Sequence, residues 1–453
     1  MASAVKNVAQ EGCCSPQVGC YSPRMRLTNL IPSVLLFSSL ALLACNADRD
    51  VPDESAMTPV MPGPKPGPGP NPNQTVGHLT GRVVAPEGTI PISGALVYIA
   101  TAPPAAIPDG VYCDKCVHIP DGTPHTTTKS DGTFELDAST GSYYLVVQKG
   151  AFRRVRQISV MEGPQQVPID KTKLPNITDK ANGDDVPKIA VMLGAWDPIE
   201  LVLARMGLKA TITKDLLGRA QVLGKDAPAF AIYGVHGLFE TSPHPSPVTL
   251  ITDPKEISKY HIVFLPCSGG INDMGATKCS GVYNSDSRVK KTIADFVAQG
   301  GRLYVSDWSY EYVRQVFPGY VTWSGENSQI GSACMGGGGE QSVRNQDAGL
   351  SAWLTAQGKS LSSVKDAWTA IGSVQEKLGI DADGKPAKVK PKVWVEASAP
   401  VTTSLQHGCG RVMYTTYHTQ PTSEVNGALE PQALALLYLI LEVGVCIDPQ
   451  VIG

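Results

Sequence analysis

The residue types able to do chemistry in this chain are thiols, imidazoles and one run of aromatics. Cys113-Asp-Lys-Cys116-Val-His118, with His125 shortly after, gathers two thiols and two imidazoles. Thiolate and imidazole are natural ligands of zinc or copper, so Cys113, Cys116, His118 and His125 form an alternative metal set. The spacing is not that of c-type haem attachment, because Val117 separates Cys116 from His118. A redox role of the thioredoxin kind needs the motif at a helix start, where the thiol pKa falls. Here it sits in a β-rich stretch, and a disulfide in an oxidising compartment is the expectation. Cys267 and Cys279 are expected to close a second loop, and two of Cys334, Cys409 and Cys446 a third. Besides Cys45 these make seven cysteines, an odd number, so one thiol stays free or pairs with another chain.

Two further clusters stand out. Trp308, Tyr310 and Tyr312 form an aromatic run that can stack on a sugar or a peptide. Gly336 to Gly339 precedes Glu340, but no Lys opens a helix after it, so no phosphate-binding P-loop is present. No cofactor is expected.

The elements that position these residues fall into two folded units. Over 77–165 the sequence has short alternating runs with turn punctuation. Leu79 to Val84, Leu96 to Ile99, Thr133 to Leu136, Gly141 to Val147 and Arg154 to Val160 are the strands. Period two puts Phe134 and Leu136 on one face, and strands so spaced imply a small all-β sandwich. Gly81-x-Val83, Pro91-Ile-x-Gly94-Ala95-x-Val97, Asp131-Gly132-x-Phe134-x-Leu136 and Gly141-x-Tyr143-x-Leu145 resemble the carboxypeptidase regulatory-like domain. That resemblance implies a prealbumin-like sandwich without a catalytic centre. The Cys113 motif falls in a long insert of this domain.

From 186 to 453 continuous apolar strands alternate with helices, which implies a mainly parallel, doubly wound (flavodoxin-like) α/β sheet. The strands include Pro187 to Leu193, His261 to Pro266, Arg302 to Asp307 and Gly410 to His418. Ile293, Phe296 and Val297 mark a helix that ends at Gly300-Gly301. The strand Ile262 to Gly269, the helix ending in Gly-Gly, the strand Leu303 to Trp308 and a late strand ending at His418 resemble the class I glutamine amidotransferase-like superfamily. The resemblance implies a nucleophilic Cys at a strand-to-helix elbow. That position falls near Ser306-Asp307-Trp308, where there is no Cys. The family's later His-x-Glu becomes His418-Thr419-Gln420. The catalytic pattern is therefore degenerate. Cys267, Ser306, Asp307 and His418 remain weak catalytic candidates, and Trp308, Tyr310, Tyr312 and His418 are candidate ligand contacts.

The N-terminal segment gives an address. Leu30 to Ala44 is an apolar run flanked by Arg24 and Arg26, as in a secretory signal. Leu42-Leu43-Ala44-Cys45 resembles a bacterial lipobox, which implies acylation of Cys45. The expected organisation is an extension at 1–24 that is mis-assigned or cleaved, a signal at 25–45, and a Pro/Gly-rich linker at 46–76. Residues 51–75 hold eight Pro and three Gly, a composition that stays extended and solvated.

The 453 residues carry 42 % hydrophobic residues, enough to bury sizeable cores, and a net charge of −3 excludes the basic face of a nucleic-acid binder. The expectation is therefore a bacterial cell-envelope protein, lipid-anchored to a membrane on its periplasmic or extracellular side. Its expected role is non-enzymatic binding of an envelope protein or saccharide. The alternative is an envelope hydrolase using Cys267 or Ser306 with His418.

Overall fold

The structure is a computed structural model. It describes residues 75–113, 119–194, 196–215, 217–234, 245–267, 286–334, 339–419 and 428–441. The signal, Cys45, the linker, Cys116, His118, Cys279, Gly336 to Gly338 and Cys446 lie outside the described residues. Among the described residues, no helix is long and apolar enough to cross a membrane. The fold is strand-rich with few helices.

The first strands are β1 (Val76–Arg82), β2 (Leu96–Ala100), β3 (His125–Thr127), β4 (Thr133–Ser139), β5 (Gly141–Lys149), β6 (Phe152–Val160), β7 (Gly163–Gln166) and β8 (Asp184–Asp185). They form a sheet β4-β1-β7 and a sheet β3-β2-β5-β6-β8. Alternation in β4 buries Phe134, Leu136 and Ala138, which share one core with Leu79, Val97, Leu145 and Val147 from both sheets. β8 extends this sheet beyond residue 165. It is held by paired buried charges: Arg153 donates to Asp185, while Arg154 and Arg156 donate to Asp184.

The next elements are β9 (Ile189–Met192), α1 (Ile199–Arg205), β10 (Ala231–Tyr233), β11 (Ile262–Leu265), α2 (Ser287–Ala298), β12 (Arg302–Ser306), α3 (Glu311–Val316), β13 (Arg344–Asn345), α4 (Ala348–Thr355), β14 (Lys392–Glu396), β15 (Pro400–His407), β16 (Gly410–Thr415) and α5 (Pro431–Leu441). They build an eight-stranded sheet in the order β10-β9-β11-β12-β16-β15-β14-β13. The first five are parallel and the last three antiparallel. The antiparallel part departs from the mainly parallel expectation. Its cause is local: β15 and β16 are joined by the two-residue turn Gly408-Cys409, too short for a crossover. β15 also buries Thr402, Thr403 and Ser404, polar residues that hide a core strand from a hydropathy pattern.

Helix α2 shows why these elements form. Asp286 caps it by accepting from the Arg288 N–H, and Val289, Ile293, Phe296 and Val297 are buried. Gly300 ends it at φ 113°, and a side chain there would meet the Tyr112 carbonyl at 1.9 Å.

That helix end also settles the disulfides. Tyr112 lies against Gly300, and Cys409 N–H donates to the Ala298 carbonyl at 3.0 Å. Cys113 and Cys409 thus converge on one spot and are bonded, with Cα atoms 5.2 Å apart and 296 residues between them in sequence. The expected Cys113–Cys116 bridge is corrected, and Cys113 offers no free thiolate for the alternative metal set. His125 is buried with its Nδ1 on the Thr123 carbonyl. Cys267 is a free buried thiol, so the expected Cys267–Cys279 bridge is corrected too. Cys334 is disulfide-bonded.

Candidate functional site

Parallel strands end on the same edge of a sheet. Their C-terminal ends therefore bring together residues far apart in sequence, and ligands bind where the strand order reverses. That reversal lies between β9 and β11. The chain after β9 supplies Asp197, β11 leads to Cys267, β12 ends in Ser306 and Asp307, and β16 leads to His418 and Thr419. Gly194 permits the approach of the first two: a Cβ there would meet the Cys267 carbonyl at 2.8 Å.

Asp307 occupies the strand-to-helix elbow. Its φ of 41° is one of two positive values among non-glycine residues described. Its carboxylate accepts from Trp368 N–H at 3.1 Å and from Thr369 Oγ1 at 2.9 Å, and its carbonyl accepts from Tyr414 Oη at 2.9 Å. Ser306 Oγ donates to Asp197 Oδ2 at 2.5 Å and accepts from Cys267 N–H at 2.8 Å. Asp197 Oδ1 accepts from Thr419 N–H at 2.8 Å and from Thr419 Oγ1 at 2.5 Å. His418 Nε2 lies 3.7 Å from Asp307 Oδ2, and Cys267 Sγ lies 3.9 Å from the same oxygen. Gln432 of α5 fixes the His418 carbonyl at 2.6 Å.

Asp197, Cys267, Ser306, Asp307, Thr369, Tyr414, His418 and Thr419 are all buried. Burial pushes the Asp307 carboxyl well above the usual carboxylate range, against hydrogen bonds from Thr369 and Trp368 that pull it down. Burial pushes the Cys267 thiol well up, and Asp307 beside it adds to the rise. Asp197 is raised by burial while His418 pulls it down. Glu200, in the first turn of α1, is raised by burial to about 8. Burial of the cluster therefore disfavours ionisation of these carboxyl groups and of the thiol.

Aromatic rings border this cluster. Trp368 lies edge-on to His418 at 4.9 Å and packs on Trp308 at 4.8 Å and on Trp196 at 5.4 Å. Trp196 is 45 % exposed. Trp308 thus stays in the site that the sequence proposed for it. Tyr310 and Tyr312 do not. Tyr310 Oη accepts from Ala333 N–H, its ring packs on Trp323, and both tyrosines are buried in the core.

Of the four weak catalytic candidates, Cys267, Ser306, Asp307 and His418, the sheet brings all together. Asp197, Trp196, Trp368, Thr369 and Thr419 were not found from sequence. For Asp197 a signal existed. Gly194 to Asp197 follows a continuous apolar strand just as Ser306-Asp307 does, and such positions gather at one sheet edge. Cys267 Sγ, a carboxylate oxygen of Asp307 and a ring nitrogen of His418 lie within 4.8 Å of one another, a set able to hold a metal ion.

Fold and site define a β-sandwich joined to an open sheet with a buried acidic cluster and a tryptophan rim. No protein-family model and no curated protein sequence matches the chain. Among solved structures, a β-galactosidase from Bacillus circulans sp. alkalophilus is similar at 14 % identity over 55 % of this chain and 30 % of its own, with a TM-score of 0.27. A DUF3823 family protein from Parabacteroides merdae covers 22 % of this chain and 46 % of its own at 14 % identity and a TM-score of 0.15. A cytoplasmic protein from Salmonella typhimurium covers 56 % of this chain and 98 % of its own at 8 % identity and a TM-score of 0.28. The chain spans less than half the length of the first two. Likenesses this slight carry no argument about fold or function.

Proposed function

We propose that this chain is a non-enzymatic, lipid-anchored protein of the bacterial cell envelope that binds a saccharide or a partner protein at the tryptophan-rimmed sheet edge. In this reading Cys45 carries the lipid, the Pro/Gly segment is a tether, and a prealbumin-like, carboxypeptidase regulatory-like sandwich carries the second unit. That unit is a degenerate class I glutamine amidotransferase-like domain. Numbering its parallel strands in chain order gives 2-1-3-4-5, the flavodoxin-like order, which supports the assignment.

The observation that carries the non-enzymatic reading is the occupant of the elbow. Asp307, rather than a thiol, stands there, and Trp368 and Thr369 hold its carboxylate. The other two nucleophile candidates are committed elsewhere. Ser306 gives its proton to Asp197, and Cys267 is buried with its thiol pKa raised. A Cys–His pair works through a thiolate, which this environment disfavours.

The rival is an envelope hydrolase using Cys267 or Ser306 with His418, and it draws on the proximity of Cys267 to His418. Tryptophan fluorescence titration with envelope oligosaccharides and peptides separates the two. The proposal expects saturable binding that Trp196→Ala weakens, without turnover. Hydrolysis of ester, amide or glycosidic substrates that is lost in Cys267→Ser or Ser306→Ala would overturn it.

A further inference from the structure

We propose that Cys267, Asp307 and His418 form a site for one divalent metal ion of the zinc class, with a coordination position left for water or a ligand donor. The donor set is one thiolate sulfur, one imidazole nitrogen and one carboxylate oxygen, a combination that suits zinc.

Geometry supports the set. Zinc bonds of about 2.0 Å to nitrogen or oxygen and about 2.3 Å to sulfur give tetrahedral edges of roughly 3.3–3.6 Å between ligand atoms. Here the nitrogen–oxygen distance is 3.7 Å and the sulfur–oxygen distance 3.9 Å. Sulfur, nitrogen and oxygen all lie within 4.8 Å of one another, so closure on an ion shortens two edges by a few tenths of an ångström and brings the sulfur and the nitrogen together by up to about 1.3 Å.

A second observation points to a ligand. His418 is 3 % exposed, and among the described residues its Nε2 has no hydrogen-bond partner, lying 3.7 Å from the Asp307 oxygen that the thiol also faces. A buried ring nitrogen left without a bond is costly unless something fills the gap. Its Nδ1 lies 3.4 Å from the Thr419 carbonyl. A proton on Nδ1 directed at that carbonyl leaves the Nε2 lone pair free for a metal, the usual outer support of a metal-bound histidine. Asp307 is arranged likewise. Thr369 Oγ1 and Trp368 N–H hold Oδ1 at 2.9 and 3.1 Å, while Oδ2 has the longer contacts, to Trp368 N–H at 3.2 Å and to the Cys267 thiol at 3.9 Å.

Binding exchanges protons for the metal: the Cys267 S–H bond and the O–H bond of a neutral Asp307 carboxyl break, sulfur–metal and oxygen–metal bonds form, and the protons pass to solvent. No oxidant or reductant is needed. The site goes beyond the binding role proposed above, and each can fail alone. Absence of metal leaves Trp196-dependent ligand binding intact, and absence of an organic ligand leaves metal binding intact.

The test uses the full chain with its disulfides oxidised. After chelation and dialysis, zinc binding is measured by titration and elemental analysis, and cobalt(II) serves as the optical probe. The expected result is one metal per chain and a thiolate-to-cobalt charge-transfer band in the unaltered protein. Cys267→Ser and His418→Ala should each weaken zinc binding at least tenfold, and Thr369→Val about tenfold through the outer support. A cobalt complex without the thiolate band, no stoichiometric metal, or zinc affinity unchanged from the parent in Cys267→Ser or His418→Ala would overturn the proposal. The cobalt spectrum needs no variant, so a misfolded mutant does not blunt the test.

Discussion

Asp197 ties together three segments of the site, and removing it should reveal how much of the site rests on that one carboxyl. It is fully buried and accepts three hydrogen bonds: Ser306 Oγ on Oδ2, and Thr419 N–H and Thr419 Oγ1 on Oδ1. Asp197→Ala strands three buried donors. Each unsatisfied donor costs about 1–3 kcal/mol. Water entering the vacated volume recovers part, and removing a carboxyl whose ionisation burial already disfavours recovers more. A net loss of about 3–5 kcal/mol remains. Asp197→Asn keeps the oxygen facing Thr419 but turns a donor toward Ser306. Ser306 already accepts from Cys267 N–H, so its own proton loses its acceptor, at about 1–2 kcal/mol. The expected order of stability at neutral pH is Asp, then Asn, then Ala. Urea unfolding followed by tryptophan fluorescence checks it. Asp197→Ala within about 0.5 kcal/mol of the parent, or Asn as costly as Ala, would refute the reasoning.

Three other perturbations have defined outcomes. Cys409→Ser opens a cross-link spanning 296 residues, and the chain-entropy argument puts the loss at up to about 6 kcal/mol; an unchanged urea midpoint would contradict it. Glu200 has a folded pKa of about 8 against 4.5 when unfolded, so its neutral form contributes stability that is complete below 4.5 and lost as pH rises to 8. Glu200→Gln should therefore gain on the parent between pH 5 and pH 8, by at most about 5 kcal/mol, and a difference independent of pH would count against the burial argument. Asp184→Ala leaves the buried Arg154 guanidinium unpaired and should cost about 3–5 kcal/mol in the same assay, whereas a loss under about 1 kcal/mol would mean that the ion pair is idle.

Elements with an unmixed signal were legible in the sequence. Strands β11 and β12 are continuous apolar runs because neighbouring parallel strands and covering helices bury both faces. Strand β4 alternates because one face meets the sandwich core. Strand β15 was not found, since its buried threonines and serine do not look like a core. The cysteine pairing was misjudged for a related reason. Nearness in sequence favoured Cys116 for Cys113, while the fold carries Cys409 to it from 296 residues away. The elbow at Ser306-Asp307 was found from the helix ending in Gly-Gly and the strand after it. Trp368 lies outside any regular element, and Trp196 precedes the first turn of a helix, so only the folded sheet shows that both rings reach His418 and Trp308.

The central proposal is that this sheet edge binds rather than catalyses, and its support is that burial disfavours ionisation of Cys267, the free described thiol, when no metal is bound. The most direct measurement is the pH dependence of Cys267 alkylation in the native, metal-free, oxidised full chain, located by peptide mass mapping. The account predicts labelling slower than that of a small-molecule thiol at every pH up to about 8.5, the ordinary cysteine value, with no acceleration that depends on His418. Rapid stoichiometric labelling of Cys267 near neutral pH, abolished by His418→Ala, would contradict it and make the site that of a thiol hydrolase.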